Sequence, residues 1–395
     1  MKKYTSLILL LIITFMFVSC GSDKTVKNKA VIIGKYLQKD AQIFLKKVHA
    51  NNVKLLDSAD ISVKPEFTFR FNSPDYALFR LECEGLYPII VVARNGDTIR
   101  IEQTTDVVWP FIVEGNDESR LAAIYFERLK LDERRVDSLS AIFHNSQSHP
   151  DFMAIRDELN RRFVNIRESH TEWCKAFVKD HPASFASLIM INSFFREFLL
   201  FDQKEDFAYF ELVANAVKER MPENRYAIDL NDQVERIRKG IEVEAEAQMR
   251  LAPGQKVPEF EMKSMDGKTI RPSDMEGKYL LIYFWAAADA ESRQINPFIA
   301  KLYEAYNKMG LEIMTISFDM DANVWKAAIE LDALPGIHID DASGPRSAVQ
   351  KLFNIKMRLP TYFLIDAQGR IYKHGQDFKE LDPAIEELIT KGPNY

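Results

Sequence analysis

The run KYLLIYFWAAADAESR, residues 278–293, sets the architecture of the C-terminal third of the chain. Its apolar stretch from Tyr279 to Trp285 has no polar alternation, which is the pattern of a strand covered on both faces. Small residues follow, then Asp289, Ser292 and Arg293 open a helical stretch, SRQINPFIAKLYEAYNKMG. Reading outward, LEIMTISFD is a strand, ANVWKAAIELD a helix, PTYFLIDAQGRIYKHG a hairpin, and a final helix begins near Pro383. Strands alternating with helices predict an α/β domain whose sheet is largely parallel and covered on both sides.

Upstream, RLAPGQKVPEF is the clearest boundary, because two prolines and a glycine end a helix and open an extended segment. The domain after it is predicted over 251–395. Residues 26–116 read as an antiparallel β domain: AVIIGKYL, AQIFLKKV, EFTFRFN, YALFRLEC, PIIVVARNGDTIRIEQ and WPFIVEG are short runs rich in β-branched and aromatic residues, separated by turn formers. Phe67, Phe69 and Phe71 alternate with polar residues and belong on one buried face, while Asn95-Gly96 suits a type I′ hairpin turn. Residues 117–250 change to a helical period, with Phe152, Ile155, Leu159, Phe163, Ile166, Trp173 and Phe177 forming one stripe. HPASFASLIMINSFF starts another helix with Pro182 in its first turn, and RKGIEVEAEAQ marks a break and a charged exit helix.

The chain has 395 residues and a formal net charge of −6, which becomes more negative once Lys2 and Lys3 are removed with a leader. Its acids and bases are interspersed and no long basic block occurs, so nucleic acid is excluded as a partner class. Lys2 and Lys3 before the apolar run Leu7 to Val18 match a secretory leader, too short to span a bilayer comfortably. The stretch FVSCGSDK resembles a bacterial lipoprotein processing site, with Phe17 where leucine is usual. That resemblance implies removal of residues 1–19, lipid on Cys20, a tether over 20–25, and attachment in the cell envelope, with the outer membrane favoured by Gly21. Cys83 and Cys174 then remain, far apart in the chain and outside any C-x-x-C. Cys174 sits beside the apolar helical stripe, where a buried inert thiol is expected.

The C-terminal segment resembles the membrane-anchored thioredoxin-like thiol:disulfide oxidoreductases, relatives of cytochrome-c-maturation reductases and peroxiredoxins. The resemblance rests on Pro258 to Phe260, Asp266-Gly267, Gly277-Lys278, Phe284-Trp285-Ala286, Pro360-Thr361, and Ile365-Asp366 with Gly369 after it. The two regions before it are similar to the domain of unassigned role that often precedes such domains in envelope lipoproteins. Against the family's F-W-A-x-W-C-x-x-C-R, Asp289 and Ser292 stand where the two cysteines belong. Exchange needs a thiolate to attack sulfur and a second thiol to resolve the mixed disulfide. Neither a carboxylate nor a hydroxyl can do either, so a redox-inactive domain serving binding or scaffolding is expected. The alternative is a thiol:disulfide oxidoreductase working through Cys83 or Cys174.

Asp289 has a structural reason to be present, since an acid at a helix N-cap accepts from the free amides of the first turn. A hydrolytic Asp289/Ser292 pair is disfavoured, because the dipole that stabilises the carboxylate weakens it as a base. The resemblance implies a cis peptide before Pro360, with the Leu359 main chain offering hydrogen bonds to an extended peptide; a turn kept only for folding is the other account. Trp285 either lines that groove or belongs to the core. His338, Asp340 and Asp341 lack a further ligand for a metal and read as a solvated turn, and Asp319-x-Asp321 reads as a cap for the next helix. No cofactor is implied, and there is no phosphate-cradling glycine loop.

Overall fold

The computed structural model describes residues 29–37, 41–49, 52–105, 109–343, 347–356 and 359–393. Cys20 and the leader lie outside them. The chain forms two compact units that divide between Ile237 and Arg238.

In the first unit eight strands come first: β1 (Ala30–Lys35), β2 (Gln42–Val48), β3 (Val53–Asp60), β4 (Glu66–Phe71), β5 (Ala77–Cys83), β6 (Ile89–Ala93), β7 (Thr98–Gln103) and β8 (Phe111–Glu114). They make two sheets, ordered β4-β1-β7-β8 and β3-β2-β5-β6. Ile32, Phe69 and Ile99 from one sheet meet Ile43, Leu45, Phe79 and Val91 from the other in a shared core. Phe67 and Phe69 are buried as their alternation predicts. Opposite Phe67 stands Gly34, where a β-carbon would lie 2.0 Å from the phenyl ring, so only glycine leaves room for it.

Two features of this β region differ from the sequence expectation. The β1–β7 pairing is parallel, whereas the other pairings are antiparallel. The Asn95-Gly96 turn is not a hairpin: β6 pairs with β5 and β7 with β1, so the turn carries the chain from one sheet to the other. β3 escaped sequence reading altogether. Its side chains are almost all exposed, and a bulge opposite Leu45 and Lys46 leaves Leu56 outside the pairing.

The helices of this unit are α1 (Asp117–Asn145), α2 (Phe152–Asp180), α3 (Phe185–Met190) and α4 (Phe207–Arg220), with the short strands β9 (Phe194–Phe195) and β10 (Phe198–Leu199) between the last two. Asn116 caps α1 by accepting from the Ser119 amide at 2.8 Å. Tyr125, Phe177, Phe185 and Phe210 from the helices pack with Leu78 and Val92 from the second sheet. β5 and β6 are therefore covered on both faces, which explains why they are buried nearly throughout. α3 is shorter than predicted and starts at the Ser184 cap, beyond Pro182. α5 (Arg225–Arg250) is continuous through Gly240, where a break was predicted.

The second unit contains β11 (Met262–Lys263), β12 (Thr269–Ile270), β13 (Tyr279–Trp285), α6 (Ala290–Tyr306), β14 (Leu311–Ser317), α7 (Ala322–Leu331), β15 (Ile337–Asp340), α8 (Ala348–Leu352), β16 (Thr361–Ile365), β17 (Ile371–Gly375) and α9 (Leu381–Lys391). The main sheet has the order β15-β14-β13-β16-β17; β13, β14 and β15 pair in parallel, β16 pairs antiparallel with β13, and β17 antiparallel with β16. β13 is central. Leu281, Tyr283 and Trp285 enter the core shared with α6 and α9, whereas Leu280, Ile282 and Phe284 enter the opposite core with Phe260 and Phe353. Burial on both sides accounts for the unbroken apolar run, and the end of β13 delivers residues 286–289 to the start of α6.

Candidate functional site

The site is built where β13 ends. Asp289 has the extended backbone of an N-cap, φ −91° and ψ 119°, and its Oδ2 accepts from the Ser292 amide at 2.7 Å. Ser292 is fully buried, and its hydroxyl accepts from the Ala286 amide at 3.4 Å. The amides of Ala287 and Ala288 donate to the two carboxylate oxygens of Asp319, at 2.6 and 3.1 Å. Ser317 Oγ donates to the same carboxylate at 2.7 Å. The Asp289 amide donates to the Ala286 carbonyl at 3.2 Å. Every main-chain N–H from Ala286 to Asp289 thus has an acceptor inside the protein, so this loop has no spare donors for a developing anion.

Asp319 was read from the sequence as part of a helix cap. Only Asp321 has that role, accepting from the Asn323 amide at 2.8 Å ahead of α7. Asp319 instead reaches from the end of β14 to the loop after β13 as a staple. Its partners lie some thirty positions earlier in the chain, and no local signal marks them.

Below the loop, the Tyr283 hydroxyl lies 3.0 Å from Asn296 Oδ1 and 3.2 Å from the Ser292 carbonyl. Asn296 Nδ2 donates to Asp332 at 2.7 Å, and Arg293 donates to both Asp332 oxygens, at 2.6 and 2.8 Å. The Arg293 hydrogen bonds hold the Asp332 carboxyl below the usual carboxylate range, with burial opposing them. Burial pushes the Tyr283 phenol far up, so it serves as a neutral donor. The first turn of α6 is thereby tied to the end of α7 by a charge-assisted, bidentate contact.

Pro360 enters the same corner from β16. Thr361 pairs with Phe284, which places Pro360 beside the end of β13, and the Leu359–Pro360 peptide is cis. Among the described residues the Leu359 main chain makes no hydrogen bond. Trp285 belongs to the core: it is fully buried and stacks with Tyr283 at a ring separation of 6.4 Å.

The His338, Asp340 and Asp341 group is not a solvated turn. His338 lies on β15 with Nδ1 2.8 Å from Thr315 Oγ1, and Asp341 is buried and accepts from the Ser347 hydroxyl. Burial, with Asp319 and Asp341 nearby, raises the Asp340 carboxyl, while a Trp325 contact opposes the rise. Among the described residues no group of three or more His, Cys, Asp or Glu is arranged to hold a metal ion.

Cys83 and Cys174 both belong to the first unit; both are buried and unpaired. Burial raises the Cys83 thiol, with Glu84 adding to it, and pushes the Cys174 thiol up to about 12. Sequence reading missed the surroundings of Cys174. Its sulfur lies 3.6 Å from His170 Nε2, and His170 Nδ1 lies 3.0 Å from Asp132 Oδ2. The four-residue spacing of His170 and Cys174 on α2 was the available signal. A thiol, imidazole and carboxylate in line has the order of a nucleophilic triad. All three are sealed in the core, however, and Asp132 is already taken by Arg128 at 2.5 Å and Arg135 at 2.9 Å.

Residues 253–374 match the AhpC/TSA family model. The chain is 30% identical over 122 residues to thiol-disulfide oxidoreductase ResA of Geobacillus kaustophilus, covering 31% of this chain and 67% of that protein. It is 28% identical over 145 residues to the protein of the same name from Bacillus thuringiensis subsp. konkukian, covering 36% of this chain and 79% of the relative. A solved thiol-disulfide oxidoreductase from Bacteroides fragilis is 27% identical with a TM-score of 0.32, covering 34% of this chain and 99% of that one.

Proposed function

We propose that this chain, which belongs to the thioredoxin-like thiol:disulfide oxidoreductase family, has exchanged redox chemistry for binding. It is a lipid-anchored envelope protein whose corner between Asp289 and Leu359-Pro360 receives an extended segment of a partner polypeptide. The observation that carries this reading is the closed hydrogen bonding of the 286–289 loop, secured by Ser292 and Asp319 and continued by the Asp289 cap on the Ser292 amide, where the family keeps two thiols. A carboxylate cannot be the attacking group of disulfide exchange, and a buried hydroxyl cannot resolve a mixed disulfide. The unpaired Leu359 main chain beside it is the kind of edge to which an extended peptide adds.

Insulin reduction in the presence of dithiothreitol tests the loss of redox chemistry. The purified chain is expected to match the protein-free blank, and turnover above the blank overturns the reading. For the anchor, radiolabelled palmitate is expected on the chain in cells and absent from Cys20→Ala; labelling of that variant removes Cys20 as the attachment point.

The names of the relatives and the Cys174–His170 contact favour a second reading, an oxidoreductase that uses Cys83 or Cys174. It requires a thiol that is accessible and acidic. Burial acts against both properties at both cysteines. Native-state labelling with a chromogenic disulfide at neutral pH is expected to be slow for both, and rapid labelling of either would favour the second reading.

A further inference from the structure

We propose that the first unit carries a binding groove for a short extended peptide that ends in a free carboxylate. The inference is independent of the corner at Asp289, which lies in the other unit.

The groove encloses about 670 Å³ and runs along one face of α5, with α3 and the ends of β2 and β5 opposite. It continues into a recess of about 520 Å³ beside the end of β2 and the start of β3, and the two share His49, Arg225, Tyr226 and Asp229. Its base is apolar, supplied by Val48, Leu78, Leu188 and Leu230. Gln233 Nε2 donates to Asn192 Oδ1 at 2.8 Å, from α5 to the second residue beyond α3, and fixes the width.

Length and chemistry select the occupant. From Arg225 to Arg236 the helix rises roughly 16 Å, which about five extended residues would span. The side chains of Asp232 and Arg236, one turn apart on α5, have no hydrogen bond or ion pair among the described residues, unlike Arg225 and Asp229, which pair at 2.7 Å. An acceptor and a cation side by side match the N–H and carboxylate of a peptide's last residue. The apolar base would take alternate side chains of the segment before it.

A sugar is a poor fit, because the aromatic ring lining the groove is already engaged. Tyr226 packs edge-on against Phe185 with centroids 5.4 Å apart, and its hydroxyl donates to the Val48 carbonyl and accepts from the Leu78 amide. No glycine-rich phosphate loop is present in the sequence.

The test uses the full chain and a fluorescein-labelled peptide, Ser-Leu-Ser-Leu-Ser-Leu, with a free C-terminal carboxylate, titrated by fluorescence anisotropy. Saturable binding is expected. It should weaken at least tenfold when the same peptide is amidated at its C-terminus, and equally for Arg236→Glu, whereas Lys308→Glu in the other unit leaves it unchanged. Thermal melts show whether Arg236→Glu remains folded, and the amidated peptide tests the same contact without altering the protein. The inference is overturned if neither peptide saturates, if both bind alike, or if calorimetry finds tight binding of maltohexaose that the peptide does not displace.

Discussion

Asp319 decides whether the corner at the end of β13 keeps its shape. Its carboxylate satisfies the amides of Ala287 and Ala288 together with the Ser317 hydroxyl, in a position only 6% exposed. Asp319→Ala would orphan the buried Ala287 amide and release the exposed Ala288 amide to water, a loss of about 1–3 kcal/mol in unfolding free energy. Urea unfolding checks the magnitude, and amide hydrogen exchange at Ala287 and Ala288 should accelerate in the variant while the β13 amides stay protected. An unchanged exchange rate would show that the staple does not hold the loop. The Asp289 cap was legible in the sequence because capping is decided by residue type and position within one turn. Asp319 was not legible, because its role exists only once β14 has been laid beside β13. Trp285 lay between these cases: its burial was foreseeable, but the choice between core and groove required the direction of its side chain.

At the scale of elements, the junction of β13 with α6 retains the geometry of a helix start that could host thiols. Residues 289 and 292 occupy its N-cap and first turn, with the Ser292 amide directed at the capping side chain. A thiolate at position 289 would meet the same amide and the positive end of the helix dipole, which lowers a thiol's pKa. The double variant Asp289→Cys/Ser292→Cys is therefore expected to reduce insulin at least tenfold faster than the unaltered chain. No gain would mean that the corner has drifted from an exchange-competent geometry. The alternation that predicted the parallel β13, β14 and β15 part of this mixed sheet was strong because buried central strands lose their polar residues. Other elements were less readable. Asn95-Gly96 has the residues of a tight turn, but turn chemistry does not say whether the flanking strands pair with each other. β3 carries no alternation because neither of its faces is covered.

For the whole molecule, pH dependence follows from which ionisable groups are buried in the neutral form. Burial pushes the imidazoles of His170 and His338 down, against a partial gain for His170 from Asp132. A histidine whose folded pKa is depressed contributes stability fully above its unfolded value, near 6.5, and loses it as pH falls toward the folded value. Asp340 acts in the opposite sense: its raised carboxyl favours the folded chain as pH falls through the folded value toward about 3.9. Between about pH 6.5 and 5 the histidines dominate, because the unfolded chain takes up their protons first. Melting temperature is expected to drop from pH 7.5 to 5.5, and to drop less in a His170→Asn variant compared with its own value at pH 7.5. A flat profile would remove the histidines as the controlling groups. Among the described residues no helix is long and apolar enough to cross a membrane.

The kink in β3 bears on how crowded copies of this protein would behave. A straight border strand with Val53, Leu55 and Leu56 in the open would invite a stranger's backbone to zip alongside it. Leu56, standing outside the ladder, breaks the regular spacing such zipping needs, and the neighbouring Lys54 adds a charge that resists burial. Greasy side chains can therefore stay uncovered on that margin without making the molecule sticky toward its own kind.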